Sequence, residues 1–436
     1  MKTLQKGDKK LLNAWAFYDW ANSAYSLVIA SAIFPNFYAM IFMERGNHVV
    51  YLFGYTIKDT AMISFVTALA FTIVAIISPF LSGISDYLGN KKTFLSFFCT
   101  LGGLACISLY WFSTENFFWS YTMYLLGLIG FWASLVFYNS YLPDIAFPEQ
   151  QDKISAKGYS LGYIGSTILL LINLAMIMSA KDEAGQMQAM KISFVMVGVW
   201  WIAFSQITYY YLPKGNKGHK LTREVLFDGF KELKKVWNIL KTSMVLKRYL
   251  YSYFVFIMAV QTVMLVATYF GAQEIAWKSS SQQTTGLIIS ILVIQLVAIL
   301  GAFLTSRASG KYGNIKTLIF LNGFWAILCV FAYFIETPNE FYIVAAFVGL
   351  VMGGIQSLAR STYSKLLPDT TDTASFFSFY DVTEKVGIVI GMSIYGIIDQ
   401  VTGSMRNAII FLGIFFVIGI VLLLRIPASS KLKFQK

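Results

Sequence analysis

The chain has 436 residues, 57% of them hydrophobic and only 13% charged, with a mean hydropathy of +0.62. A soluble domain carries about 25% charged residues, so a water-soluble globular protein is excluded. The net charge of +12 would suit nucleic acid as a partner, but its placement along the chain points to a bilayer.

In chain order, the charge-free runs Trp20–Met43, Thr60–Ser85, Thr93–Thr114, Asn116–Pro143, Gly158–Ala180 and Ile192–Pro213 fill the first half. Tyr249–Gln273, Ser279–Ser306, Thr317–Ile335, Phe341–Ala359 and Asn407–Leu424 follow in the second. Each is long enough to cross a hydrocarbon core of roughly 30 Å as a helix. The stretch between Lys385 and Asp399 is shorter, roughly 20 Å at about 1.5 Å per residue. If it crosses, it takes Lys385, Glu384 and Asp381 into the membrane with it. Pro35 and Pro79 fall inside runs and are expected to bend them.

Counting that stretch, the pattern predicts an all-α polytopic membrane protein of about twelve spans, arranged as two pseudo-symmetric six-helix bundles. The expected domains are residues 1–213, a linker at 214–248, and residues 249–436. In the linker, Leu226, Phe230, Leu233, Trp237 and Leu240 recur at three- and four-residue steps among lysines. This predicts an amphipathic helix on the membrane surface or beneath the bundles.

On a twelve-span threading, 27 of the 34 Lys and Arg fall on the side that holds both termini. The positive-inside rule places that side in the cytoplasm, and a bacterial inner membrane is the expected home. Cys99, Cys106 and Cys329 lie inside apolar runs, so no disulfide framework is expected. The first run is too long for a removable signal and lacks a small-residue cleavage site, so it is expected to remain.

The chain repeats itself. SGISDYLGNKKT (Ser82–Thr93) returns as SRASGKYGNIKT (Ser306–Thr317), YNSYLPD (Tyr138–Asp144) as YSKLLPD (Tyr363–Asp369), and the Gly158/Gly162 pair as Gly387/Gly391. Asn22-Ser23 matches Gln261-Thr262 more loosely. Echoes in the same order at nearly one offset predict parallel repeats of the kind that rock about a midplane site. Glycines at 83 and 89 suit a tight connection between close helices. Asp86 is expected to latch onto a helix N-terminus, that of span eleven, with Lys91 and Lys92 turned toward anionic headgroups. The second copy replaces Asp86 with Gly310. A phosphate-binding loop is excluded by the Gly83–Gly89 spacing and the lack of a preceding strand.

Gly83, Asp86, Gly89, Lys91 and Lys92 together resemble the loop signature of the major facilitator superfamily. AWAFYDWANSAY (Ala14–Tyr25), FYNSYLPDI (Phe137–Ile145) and GGIQSLARSTYSKLLP with FFSFYDVTEK (within Gly353–Lys385) resemble its vacuole effluxer-like branch. The resemblance implies export of small solutes, amino acids in the fungal vacuolar case. Two departures stand out. Met258 occupies a position in span seven where that branch often has an acid, and span four carries no interior Arg.

Ionisable residues inside a membrane mark function, and the candidates are Asp19, Arg360, Asp381, Glu384 and Lys385. Two readings stay open: Asp19 or Glu384 carries a proton, or the five form an ion-pair gate. Asn22, Trp132, Asn139, Gln261, Gln295 and Gln356 are candidate substrate-lining groups, although interhelical hydrogen bonding is the more ordinary role for any single amide. This neutral lining suits a neutral or zwitterionic solute. The expected protein is thus a monomeric secondary transporter, with protons as candidate coupling ion, no cofactor, no metal and no nucleic acid. A multidrug efflux pump is the nearest alternative, and a lipid-handling or receptor-like protein a further one. With His48 and His219 outside the spans and no metal-spaced or nucleophile motif, an enzyme is not expected.

Overall fold

The structure, a computed structural model, describes residues 4–45, 49–52, 55–215 and 225–427. His48 and His219 lie outside the described residues. Among these, eleven helices are long and apolar enough to cross a membrane. They are span one (Lys9–Phe42), two (Ala61–Leu88), three (Lys91–Trp111), four (Phe117–Ile145), five (Pro148–Ser179), six (Glu183–Tyr211), seven (Met244–Glu274), eight (Gln282–Tyr312), nine (Asn314–Phe334), ten (Pro338–Leu366) and twelve (Met405–Leu424). Thr373–Thr402, as long as its neighbours, is span eleven. It carries Asp381, Glu384 and Lys385 within it, as the sequence requires.

By its contacts the chain forms two compact units, residues 1–141 with 161–230, and residues 142–160 with 231–436. Within the first, span one packs on span six, three on six, two on four and three on four. Within the second, seven packs on twelve, nine on twelve, eight on ten and nine on ten. The same pairings recur six spans later, so the two bundles are built alike. Spans two and eight are the least buried, and they turn Phe65, Ile76, Leu296 and Phe303 outward. Such faces are liabilities in water and the natural surface in lipid.

The repeats fold as repeats. Span two ends at Leu88 with Gly89 at φ 71, and span eight ends at Tyr312 with Gly313 at φ 87, both turning through a positive φ. Only glycine takes that turn cheaply. Asn90 then caps span three by accepting from the Thr93 amide at 3.4 Å. The paired glycines work alike as well. A Cβ on Gly162 would strike Ser23 and the Asp19 carbonyl, and one on Gly391 would strike Thr262 and Met258. Span five therefore seats on span one as span eleven seats on span seven, and the loose match of Ser23 with Thr262 is a true equivalence.

Three features lie outside the sequence expectation. Span one passes from α-helix into a π-helical stretch, Tyr25–Ile33, before resuming at Phe34. Pro35 offers no N–H and its ring collides with the carbonyl four residues back, so the α register cannot run straight into it. The Asn36 amide donates to the Ala32 carbonyl at 2.7 Å close by. Val49–Leu52 and Tyr55–Lys58 pair as an antiparallel hairpin, Val49 opposite Lys58. Lys91 and Lys92 turn onto protein rather than outward. Lys91 is buried and lies 5.9 Å from the Tyr141 ring centre, and Lys92 donates to the Leu212 carbonyl at 3.1 Å. Leu212 caps the C-terminus of span six, where exposed carbonyls and the helix dipole attract a cation.

Candidate functional site

In the first unit, Trp15, Tyr18, Asp19 and Asn22 fall on one face of span one, at three- and four-residue steps. Span four meets them with Tyr138. Its hydroxyl donates to Asp19 Oδ2 at 2.9 Å, its ring stacks on Trp15 at 4.6 Å, and its carbonyl accepts from Trp15 Nε1 at 2.8 Å. Asp19 is buried among these groups. Asn22 is buried too; its Oδ1 accepts from Ser23 at 3.4 Å, and its Nδ2 has no partner among the described residues. Trp132 meets Phe71 at 5.6 Å and is half-buried, as is Asn139.

In the second unit, span eleven carries two arrangements a residue apart. Lys385 pairs with Asp381, one turn away on the same face, and both are buried. Glu384, half-buried, accepts from the Gln261 amide and from the Tyr253 hydroxyl at 3.4 Å, both on span seven. Tyr253 stacks on Tyr380 at 4.1 Å, and Tyr380 on Tyr363 at 4.9 Å. Gln261 is thus joined to Glu384, while Gln295 and Gln356 are half-buried on spans eight and ten.

Arg360 turns to a segment that the sequence did not single out, the start of span five. Its Nε donates to Ser155 Oγ at 2.9 Å and its Nη2 to the Ser155 carbonyl at 3.0 Å, with the guanidinium 4.4 Å from the Tyr159 ring centre. One turn earlier, Asp152 accepts from Ser309 at 2.9 Å, Asn314 at 2.9 Å and Lys365 at 2.6 Å. Asp144 accepts from Thr373 at 3.3 Å. Ser309 and Asn314 belong to the second loop copy, the one without its own acid. Gly310 there has open space around it, and Asp152 brings a carboxylate to the loop from another part of the chain. The signal was faint: Asp152, Ser155 and Tyr159 share a helical face, and nothing in the sequence names their partners. In the first copy Asp86 is fully buried, and Gly83 is pressed against the Gly229 backbone, where a Cβ would have no room.

Comparison with known proteins settles the lineage. The family described as "Vacuole effluxer Atg22 like" matches residues 7–436. The chain belongs to that family. It is 32% identical over 433 residues to the uncharacterized MFS-type transporter YxiO of Bacillus subtilis, covering 98% of this chain and 97% of that protein. The Autophagy-related protein 22-2 of Aspergillus oryzae is 22% identical over 460 residues, covering 85% of this chain and 75% of the fungal one. Among solved structures, the E. coli fucose:proton symporter FucP superimposes with a TM-score of 0.69 at 12% identity, over 96% of this chain and 98% of that one. The fold is that of the major facilitators. The effluxer-like chain is an integral membrane transporter and not an enzyme.

Proposed function

We propose that this chain is an effluxer of small polar solutes of amino-acid type, working by alternating access in a bacterial inner membrane, with protons as the coupling ion and both termini cytoplasmic. Efflux follows the description of its family, and the topology rests on the distribution of Lys and Arg. The bundles divide as residues 1–213 and 249–436, joined by the linker at 214–248. A zwitterion suits the candidate groups of each unit taken by itself: Asn22, Trp132 and Asn139 with the Asp19 carboxylate in the first, and Gln261, Gln295 and Gln356 with the Glu384 carboxylate in the second.

One observation carries the proton-coupled reading. Both hydrogen-bond partners of Glu384 among the described residues, Gln261 and Tyr253, are neutral. A carboxylate held by neutral donors at a half-buried position can accept a proton without leaving a cation stranded. Lys385 has Asp381 for that purpose, so the pair next door is structural and Glu384 is the carrier. Asp19, which accepts from the Tyr138 hydroxyl within the first unit, is the second carboxylate to test.

Proteoliposomes test this directly. A zwitterionic amino acid should exchange across the membrane in both wild type and Glu384→Gln, whereas flux driven by an imposed pH gradient should fall to background in the variant. Gradient-driven flux that survives both Glu384→Gln and Asp19→Asn would sink the proton role. Absence of any solute exchange in wild type would sink the substrate class.

A further inference from the structure

The linker helix Val225–Thr242 has two apolar faces where its sequence pattern suggested one. Val236 and Leu240 are buried, while Phe230 and Trp237 are 58% and 45% exposed. Phe230, Lys234, Trp237 and Lys241 follow each other at steps of four, three and four, so they form one outward stripe. Met244, 60% exposed, stands three residues further on. The Lys241 ammonium lies 5.0 Å from the Trp237 ring centre, and the ring also meets Phe379 of span eleven at 5.5 Å.

The place of this stripe relative to the bilayer follows from the chain. The linker helix stops at Thr242, Ser243 caps the next helix by accepting from the Leu246 amide, and span seven begins at Met244. The last turn of the linker helix therefore lies at the membrane boundary. Exposed Lys247 is close behind, and Arg248 donates to the Arg425 carbonyl at the end of span twelve, which adds cations at the same level. Aromatic rings alternating with lysines are what a headgroup region accommodates, rings among the esters and ammonium groups at the phosphates.

We infer that this stripe is a docking surface for anionic phospholipid, with Lys234 and Lys241 taking the phosphate and Trp237 and Met244 lying along the acyl boundary. Charge complementarity selects the anionic class, since the stripe carries two lysines and no acid. Lys235 stays out of the site. On the helix's other side it pairs with Asp372, the N-cap of span eleven, at 2.8 Å. That carboxylate holds the Lys235 ammonium above its usual value, so the pair persists through neutral pH. Lipid bound to the stripe thus acts on a helix clipped to the start of the span that carries Asp381, Glu384 and Lys385.

The test is thermal unfolding of the full chain in neutral detergent, titrated with phosphatidylglycerol. A saturable rise in Tm is expected that phosphatidylcholine does not give. Lys234→Gln with Lys241→Gln should weaken half-saturation about 25-fold, about fivefold for each lysine. Because both side chains are exposed, the double variant keeps the fold. In a second readout, brominated phosphatidylglycerol should quench less fluorescence in Trp237→Phe than in wild type. Unchanged half-saturation in the lysine variant overturns the assignment. So does a Tm rise with inorganic phosphate equal to that with the lipid, or equal quenching of wild type and Trp237→Phe.

Discussion

The side chains of Lys385 and Asp381 are 1% and 6% exposed, and the bilayer would charge each a few kcal/mol on its own. Held together one turn apart, they enter as a neutral unit, which explains how span eleven crosses with only a short uncharged run. Removing Lys385 strands the Asp381 carboxylate, and breaking a buried pair costs roughly 3–5 kcal/mol. Lys385→Ala should therefore lower the unfolding temperature in detergent markedly, and Lys385→Met with Asp381→Leu should restore most of it. A single variant as stable as wild type would mean that water reaches the pair. Helical spacing by itself puts Asp381 and Lys385 on one face but does not decide whether Lys385 serves Asp381 or Glu384. The choice turns on Gln261 and Tyr253, which occupy Glu384 from span seven, and helical spacing within one span cannot report a donor on another.

Among elements, the helices with glycine at close crossings were the most legible. Gly158/Gly162 and Gly387/Gly391 could be read because a missing Cβ has one main use in a membrane helix, close approach. Gly162 and Gly391 each receive the backbone and a hydroxyl-bearing side chain from the matching span. Gly391→Val should then cost about 1–3 kcal/mol from overpacking, read as a lowered midpoint of thermal unfolding. Gly396→Val, five residues on where nothing lies within 4 Å, should leave it unchanged. If both variants behave alike, the seat of span eleven on span seven is not tight. The π-helical stretch Tyr25–Ile33 was not legible, because a π turn uses the same apolar residues as an α turn. Pro35 was the single clue. The linker helix was legible as amphipathic but not in its division, since which apolar residues face outward depends on where Asp372 and Phe379 meet it.

At the scale of the molecule, twelve spans and two like bundles followed from charge-free runs and repeated motifs, because burial of the backbone in lipid leaves few alternatives. What the repeats concealed is that residues 142–160, in the first half by sequence, belong by contact to the second unit. Three anchors hold them there: Asp144 to Thr373, Asp152 to Ser309, Asn314 and Lys365, and Ser155 with Tyr159 to Arg360. On the alternating-access mechanism proposed above, a segment covalently continuous with one unit and bonded to the other is where we expect contacts to break and remake. Asp152 is its strongest anchor, since three donors converge on one carboxylate and hydrogen bonds to a charged group are worth about 1.5–3 kcal/mol. Asp152→Asn removes the charge that Lys365 needs and turns one acceptor into a donor. The segment should then detach more often. Ala156, buried one turn on, reports this when replaced by cysteine in a background in which the native cysteines, all buried, are changed to serine. Its labelling by a membrane-impermeant thiol reagent should accelerate several-fold with Asp152→Asn. A labelling rate indifferent to Asp152 would mean that the anchors are static packing and that the moving contact lies elsewhere.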